Sequence, residues 1–160
     1  MKTCMLTGSF DPFTVGHLDL VKRVYKVFDL VYVAILVNPL KQYLFSVDQR
    51  LRIVKAALVD YDNVRVISFA GMTYDLAHQL GVDYLVRGIR TESDFEYELE
   101  MAEYNLNEGG VDTICLMTNQ MQYVSSTDVR ARLAKEESLE GLVPEPCLAL
   151  VREFYWHNQA

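Results

Sequence analysis

The run Met1-Lys2-Thr3-Cys4-Met5-Leu6-Thr7-Gly8-Ser9-Phe10-Asp11-Pro12-Phe13-Thr14-Val15-Gly16-His17 decides how this chain is read. Met1–Thr7 predicts a strand, its apolar centre being Cys4 to Thr7, and Gly8 ends it. Ser9 to Gly16 is a tight loop, and Leu18 to Phe28 is amphipathic with a helical period. That order is strand, loop, helix. The first turn of such a helix carries backbone N–H groups with no intrahelical partner, and its dipole favours negative charge. A phosphate is the guest this arrangement predicts. Gly8 and Gly16 permit close backbone approach, Ser9 and Thr14 supply hydroxyls, and His17 offers a donor within the first turn. The string is neither the P-loop, which ends in Gly-Lys-Ser/Thr, nor the three-glycine dinucleotide pattern. A lone Gly-His pair would be an ordinary turn with a surface histidine. The nine residues Ser9–His17 together, directly after a strand, make it a site.

Outward from that unit, the chain alternates. Gly16–Phe28 predicts a helix with Leu20, Val21, Val24, Val27 and Phe28 near one stripe, and Leu30–Val37 a strand covered on both faces. Ser46 and Gln49 form a capping box opening a helix to about Leu58. Val64–Phe69 is a third strand, Thr73–Leu80 a helix stopped by Gly81, and Asp83–Arg87 a fourth strand. Ser93–Asn107 is a helix capped by Ser93 or Asp94, Gly109-Gly110 a turn, and Val111–Met117 a fifth strand. Ser126–Lys135 and Glu145–His157 close the chain as helices, the second placed by Pro144 and Pro146. The alternation predicts an α/β fold: one doubly wound, Rossmann-like domain over residues 1–160 with a parallel five-stranded sheet.

Composition narrows the partners. The chain has 160 residues, 51% of them apolar and 23% charged, which suits a folded domain with a substantial core. A net charge of −7 argues against a nonspecific nucleic-acid binder, although a few focused cations can still serve one anionic cleft. Cys4, Cys115 and Cys147 form neither a CxxC pair nor a secreted framework, and Cys4 and Cys115 are expected to be buried thiols in strands. No segment approaches the ~18 apolar residues of a membrane span, and no signal-peptide pattern is present. A cytoplasmic protein is the expectation.

In an open parallel sheet, ligands bind beyond the carboxyl ends of the strands. Those ends are followed here by Ser9–His17, Asn38-Pro39-Leu40-Lys41, Gly71-Met72-Thr73, Arg87-Gly88-Ile89-Arg90 and, after a short loop, Ser125-Ser126-Thr127. Hydroxyls, cations and small residues thus converge on one rim of an acidic protein. Singly, each has a plainer reading. Lys41 alone is a solvated lysine, Arg87 and Arg90 could pair with Glu92 and Asp94, and the serine run could be an N-cap. Phe95 and Tyr97 read as core, Glu96, Glu98 and Glu100 as a solvated face, and His78 and His157 as surface residues.

Together the motifs carry a resemblance. Gly8–Pro12 with Thr14-Val15-Gly16-His17 resembles the T/HxGH loop of nucleotidyltransferases. Arg87-Gly88-Ile89-Arg90 followed by Ser93-Asp94-Phe95-Glu96-Tyr97-Glu98 resembles the RGxR…DFEYE pattern of bacterial phosphopantetheine adenylyltransferases. Pro39-x-Lys41, Ser125-Ser126-Thr127 and Leu142-Val143-Pro144 agree with that family. The resemblance implies transfer of AMP from ATP to 4′-phosphopantetheine, with release of pyrophosphate. It implies contacts to phosphopantetheine from Ser9, Lys41, Thr73 and Arg87. Contacts to ATP are implied for Ser9, Phe10, His17, Gly88, Ile89, Arg90, Glu98, Tyr123, Val124, Ser125, Ser126 and Thr127. His17, with Lys41 and Arg90, would stabilise the transition state. Mg²⁺ would come bound through the ATP phosphates, with no metal ligands from the protein. The resemblance further implies a homohexamer, with coenzyme A as a feedback ligand.

Three departures stand out: Ser9 where threonine is commoner, Lys41-Gln42-Tyr43 without the usual second lysine and proline, and the unfamiliar stretch Thr118–Gln122. The rival enzyme is a nicotinate or nicotinamide mononucleotide adenylyltransferase, which shares the Ser125-Ser126-Thr127-Asp128-Val129-Arg130 pattern. That family usually reads HxGH where this chain has Thr14, and it lacks DFEYE; a cytidylyltransferase fits less well. A regulator that binds nucleotide without turnover is the alternative of another class.

Overall fold

The computed structural model describes residues 1–118 and 124–160. Its elements run β1 (Thr3–Gly8), α1 (Val15–Val24), β2 (Leu30–Leu36), α2 (Val47–Ala57), β3 (Val64–Phe69) and α3 (Thr73–Leu80). They continue as β4 (Tyr84–Ile89), α4 (Glu92–Gly109), β5 (Asp112–Met117), α5 (Ser126–Ala134), a 3₁₀ turn (Glu145–Cys147) and α6 (Leu148–Gln159). The strands form one sheet in the order β3-β2-β1-β4-β5, every pair parallel. The chain winds from β1 outward to β3, then crosses back to β4 on the other side of β1. The topological switch point therefore lies between β1 and β4, where such sheets bind ligands.

Register opens that point into a crevice. β1 pairs with β2 along its whole length, Thr3 to Gly8. Its ladder with β4 runs only from Cys4↔Tyr84 to Leu6↔Val86. Beyond Leu6 the two strands part, leaving Thr7 and Gly8 on one wall and Arg87 and Gly88 on the other.

Alternation along the central strands sorts side chains into two cores. Cys4 and Leu6 of β1, Val31, Val33 and Ile35 of β2 and Val86 of β4 join the larger cluster with α1, α2, α5 and α6. Met5, Ala34 and Leu85 face the other way, onto Leu76 and Ala77 of α3. The two-sided burial explains why β1 and β2 read as unbroken apolar runs.

Several elements depart from expectation. Helix α1 ends at Val24, a turn early, because the Asn63 side chain takes the Tyr25 and Phe28 carbonyls at 2.7 and 3.0 Å; Val27 is left exposed. Strand β4 continues through Gly88 and Ile89, two residues past its predicted end. The cap of α4 is Thr91, whose hydroxyl accepts the Asp94 N–H, rather than Ser93 or Asp94. Gly109 belongs to α4 and not to a turn: a Cβ there would sit 2.2 Å from the Tyr74 Cβ, so its bare backbone lets α3 and α4 meet. Cys115 is exposed, because β5 is an edge strand with a neighbour on one side only. On α4, Phe95 and Tyr97 are 52% and 58% exposed while Glu98 is 6% exposed, the reverse of expectation. At 100° per residue, Glu98 cannot share a face with Glu96 and Glu100.

Candidate active site

The loop after β1 is built around Thr14. Its hydroxyl accepts the His17 N–H at 3.4 Å and donates to the Val124 carbonyl at 3.0 Å, while its own N–H donates to His17 Nδ1 at 3.0 Å. This is a reciprocal capping box with histidine in the place usually held by glutamate or glutamine. Because Nδ1 accepts, the ring proton of the neutral imidazole sits on Nε2. Removal from solvent, then the charges of Arg90 and Arg87, push the His17 pKa down to about 3. At neutral pH His17 is an uncharged donor through Nε2. Phe10 and Phe13 hold the ring, with centroids 5.0 and 5.4 Å away. Phe10 has φ +47°, a costly conformation for a residue with a Cβ, and burial of its ring to 5% exposure offsets the cost.

Asp11 braces the loop from beneath. Its carboxylate accepts the N–H groups of Leu44 and Phe45 at 2.8 and 2.9 Å, and Arg130 donates to its carbonyl at 2.8 Å. Neither Asp11 nor Arg130 is marked by the sequence as a loop brace. The Thr14–His17 spacing was a usable signal, had histidine been admitted as the reciprocating residue of a capping box.

Arg87 fills the gap where the ladder between β1 and β4 lapses. It donates to the Thr7 carbonyl at 2.6 Å and pairs bidentately with Glu98, both bonds 2.8 Å. Burial works against its charge, but Glu98 outweighs that and holds the pKa above the ordinary arginine value. Arg90 pairs with Asp94 at 2.9 Å, the partner expected for it, whereas the partner of Arg87 is Glu98 and not Glu92 or Asp94.

The crevice has two lobes, and Thr7, Gly8, Arg87 and Glu98 line both. One, of about 150 Å³, is walled by Phe10, Gly16, His17, Gly88, Arg90, Thr118 and Val124. The other, of about 230 Å³, is walled by Ser9, Thr73, Tyr97, Met101, Asn105 and Thr113. Gly88 lies at the floor of the first, where a Cβ would crowd Leu20 at 3.1 Å and the Thr118 hydroxyl at 3.2 Å.

Lys41 is exposed at the rim, its Nζ 3.4 Å from Ser9 Oγ. Ile89 turns inward and is buried, lining neither lobe. The serine cluster at the start of α5 also stays out of both walls. Ser125 caps the helix through the Asp128 N–H, Ser126 donates to the Pro12 carbonyl at 2.8 Å, and Thr127 accepts from Arg130 at 3.1 Å. Tyr123 lies outside the described residues.

A cleft at the switch point of a parallel sheet, opened by a strand-loop-helix unit with two arginines and a neutral histidine, defines a nucleotidyltransferase. Comparison with known proteins agrees. The family model described as Cytidylyltransferase-like matches residues 5–132. The phosphopantetheine adenylyltransferase of Clostridium novyi (strain NT) is 41% identical over 146 residues, covering 90% of this chain and 91% of that protein. The protein of that name from Streptococcus uberis is 38% identical over 161 aligned positions, covering 99% of this chain and 97% of that protein. In Flavobacterium psychrophilum the identity is 40% over 146 residues, covering 91% and 97%. A solved structure described as a putative nicotinate-nucleotide adenylyltransferase from Vibrio parahaemolyticus matches with a TM-score of 0.65 over 94% of this chain and 99% of that one. At 17% identity it shows a shared fold and nothing finer. The chain belongs to the cytidylyltransferase-like family, on its phosphopantetheine adenylyltransferase branch.

Proposed function

We propose that this chain moves the AMP group of ATP onto 4′-phosphopantetheine, giving dephospho-coenzyme A and pyrophosphate in coenzyme A biosynthesis. The observation that carries the reading is the two-lobed cleft divided by Arg87, with an uncharged imidazole in one lobe only. ATP takes the lobe of His17, Gly88 and Arg90; the acceptor takes the lobe of Ser9 and Thr73. The acceptor phosphate is already an anion at neutral pH, so no general base is needed. Its oxygen attacks the α-phosphorus in line, the bond from that phosphorus to the bridging oxygen breaks, and pyrophosphate leaves with the electron pair.

The chemistry asks the protein for alignment and for stabilisation of charge growing on the α-phosphoryl oxygens. Lys41 and Arg87 hold the incoming phosphate with the Ser9 and Thr73 hydroxyls. His17 donates through Nε2 to an α-phosphoryl oxygen, and its neutrality means it does so without gaining or losing a proton. Arg90 faces the β- and γ-phosphates, while Phe10, Gly88, Glu98 and Val124 enclose the nucleotide. Ser125 to Thr127 and Ile89, which line neither lobe, act only by holding the α5 start and the end of β4 in place.

Mg²⁺ belongs to this reading as a companion of the triphosphate. The carboxylates nearest the cleft are engaged, Glu98 by Arg87, Asp94 by Arg90 and Asp11 by two backbone amides. Among the described residues no three His, Cys, Asp or Glu side chains come together as a metal cage. That donor set suits an ion brought in by the phosphates, whose charge it neutralises when bound.

Coenzyme A, which contains the product, competes for the same cleft in this reading. A homohexamer is supported by the apolar side chains of β5 and α4 left in solvent, Ile114, Met117, Leu99 and Leu106 among them. Light scattering at micromolar concentration tests it. A cytoplasmic setting agrees with the three free thiols, and among the described residues no helix is long and apolar enough to cross a membrane. The deciding experiment is pyrophosphate release from ATP with phosphopantetheine or nicotinate mononucleotide as acceptor. Preference for the first is expected, preference for the second refutes the proposal, and nucleotide binding without release of pyrophosphate marks a regulator.

A further inference from the structure

The largest fully buried side chain outside the catalytic set is a cation. Arg50, on α2, is 1% exposed. Its Nη1 donates to the Ser9 carbonyl at 2.8 Å and, at the long limit of 3.5 Å, to the Leu36 carbonyl. Its guanidinium lies 4.0 Å from the centre of the Tyr43 ring. Tyr43 in turn fixes the loop after β2, since its hydroxyl accepts the Asn38 N–H at 3.0 Å. Lys41, within that loop, has its Nζ 5.6 Å from the same ring and 3.4 Å from Ser9 Oγ. One buried guanidinium thus joins the end of β1, the end of β2 and the segment that carries Lys41.

Stability alone does not explain it. A cation taken out of water is costly unless a carboxylate meets it directly, and an apolar side chain of similar volume is usually as stable or more so. Among the described residues no carboxylate lies within salt-bridge distance of Arg50, and its Nε is buried without a hydrogen-bond partner. The Asp11 carboxylate offsets the charge only from further off. What the guanidinium does supply is a planar fork that can stack on a ring and bond a carbonyl at once.

We infer that Arg50 is a positioning residue for acceptor binding: through the Ser9 carbonyl and the Tyr43 ring it sets the distance between Ser9 and Lys41 that a phosphate must bridge. The inference rests on the function proposed above and concerns only its acceptor half. Lysine keeps the charge but can neither stack as a plane nor fork. Arg50→Lys should therefore lower kcat/KM for phosphopantetheine by ~10–10²-fold and leave the KM for ATP within ~2-fold, the loss expected of a reacting group misplaced from a distance.

The test is steady-state kinetics of the full-length protein as a cycle: wild type, Arg50→Lys, Lys41→Ala and the double variant, with unfolding midpoints measured alongside. If Arg50 acts through Lys41, its loss shrinks to under ~3-fold in the Lys41→Ala background, as coupled sites do. Equal losses toward both substrates, or an undiminished loss in that background, would overturn the inference. Should Arg50→Lys fail to fold, Tyr43→Leu removes the same stack while keeping the guanidinium and its bond to the Ser9 carbonyl, and is judged by the same two ratios. Turnover of wild type on nicotinate mononucleotide alone would sink the substrate assignment, and Arg50 would still be judged by the same ratios with that acceptor.

Discussion

Strands β1 and β5 are both short and apolar, and the fold uses them in opposite ways. β1 is the hub: it has a parallel neighbour on each side, and Cys4, Met5 and Leu6 are at most 4% exposed. β5 is the edge, paired only with β4, with Ile114 and Met117 at 36% and 73% exposure. The site sits at the hub because only there can two strands part and admit a ligand between them. The edge leaves its apolar side chains uncovered in the single chain, the surface the proposed homohexamer would use. Apolar sequence therefore marks two different fates, one met within the chain and one left open at its edge.

The contrast can be tested at either end. At the hub, His17→Ala should lower turnover by ~10²–10³-fold, as loss of a single charge-stabilising donor does, with the unfolding midpoint nearly unchanged. Normal turnover in that variant would dismiss the imidazole as catalyst. Ile53→Ala, in the large core that packs on β1 and β2, should cost ~2–5 kcal/mol by urea unfolding. Glu98→Gln should cost ~1–3 kcal/mol, because the charged hydrogen bonds to Arg87 weaken while the Thr7 carbonyl still holds that guanidinium. At the edge, Ile114→Ser should change unfolding of the isolated chain by no more than ~0.5 kcal/mol yet lower the mass seen by light scattering. An unchanged mass would break the comparison.

The last test is one of pH. A folded His17 pKa near 3 against an unfolded value near 6.5 means that only the unfolded chain takes up this proton as the solution is acidified. The stability tied to His17 is thus fully present above pH 6.5 and is lost progressively as pH falls from 6.5 toward 3. Nitrogen NMR should show the Nε2–H tautomer from pH 8 down to about pH 5, where an ordinary histidine is protonated. A ring that titrates near 6.5 would remove the neutral donor from the mechanism.

Much of the site was legible because it is made of local signals. Ser9 to His17 and Thr73 follow strands, and Arg87 to Arg90 lie at the end of one; strand ends can be located from alternation and turn residues. The capping box at Ser46 and Gln49, the limits of β3 and α3 and the Gly81 stop depend only on neighbours in sequence, and all are found as expected. Glu98 shows the limit. The helical period separates Glu98 from Glu96 and Glu100, but only the packing of α4 against β4 decides that its side faces inward onto Arg87.

By itself, then, the amino-acid order determined which segments become strands and helices, the strand-loop-helix unit at the start and the family. These follow from periodicity, capping and turn chemistry, which act over a few residues. The tertiary structure alone decided that the ladder between β1 and β4 stops at Leu6, that Arg87 divides the cleft, that Arg50 ties Ser9 to Tyr43 and that β5 is left at the edge. Each of those joins residues far apart in the chain, and the free energy of such contacts depends on desolvation and geometry that exist only once the sheet has formed.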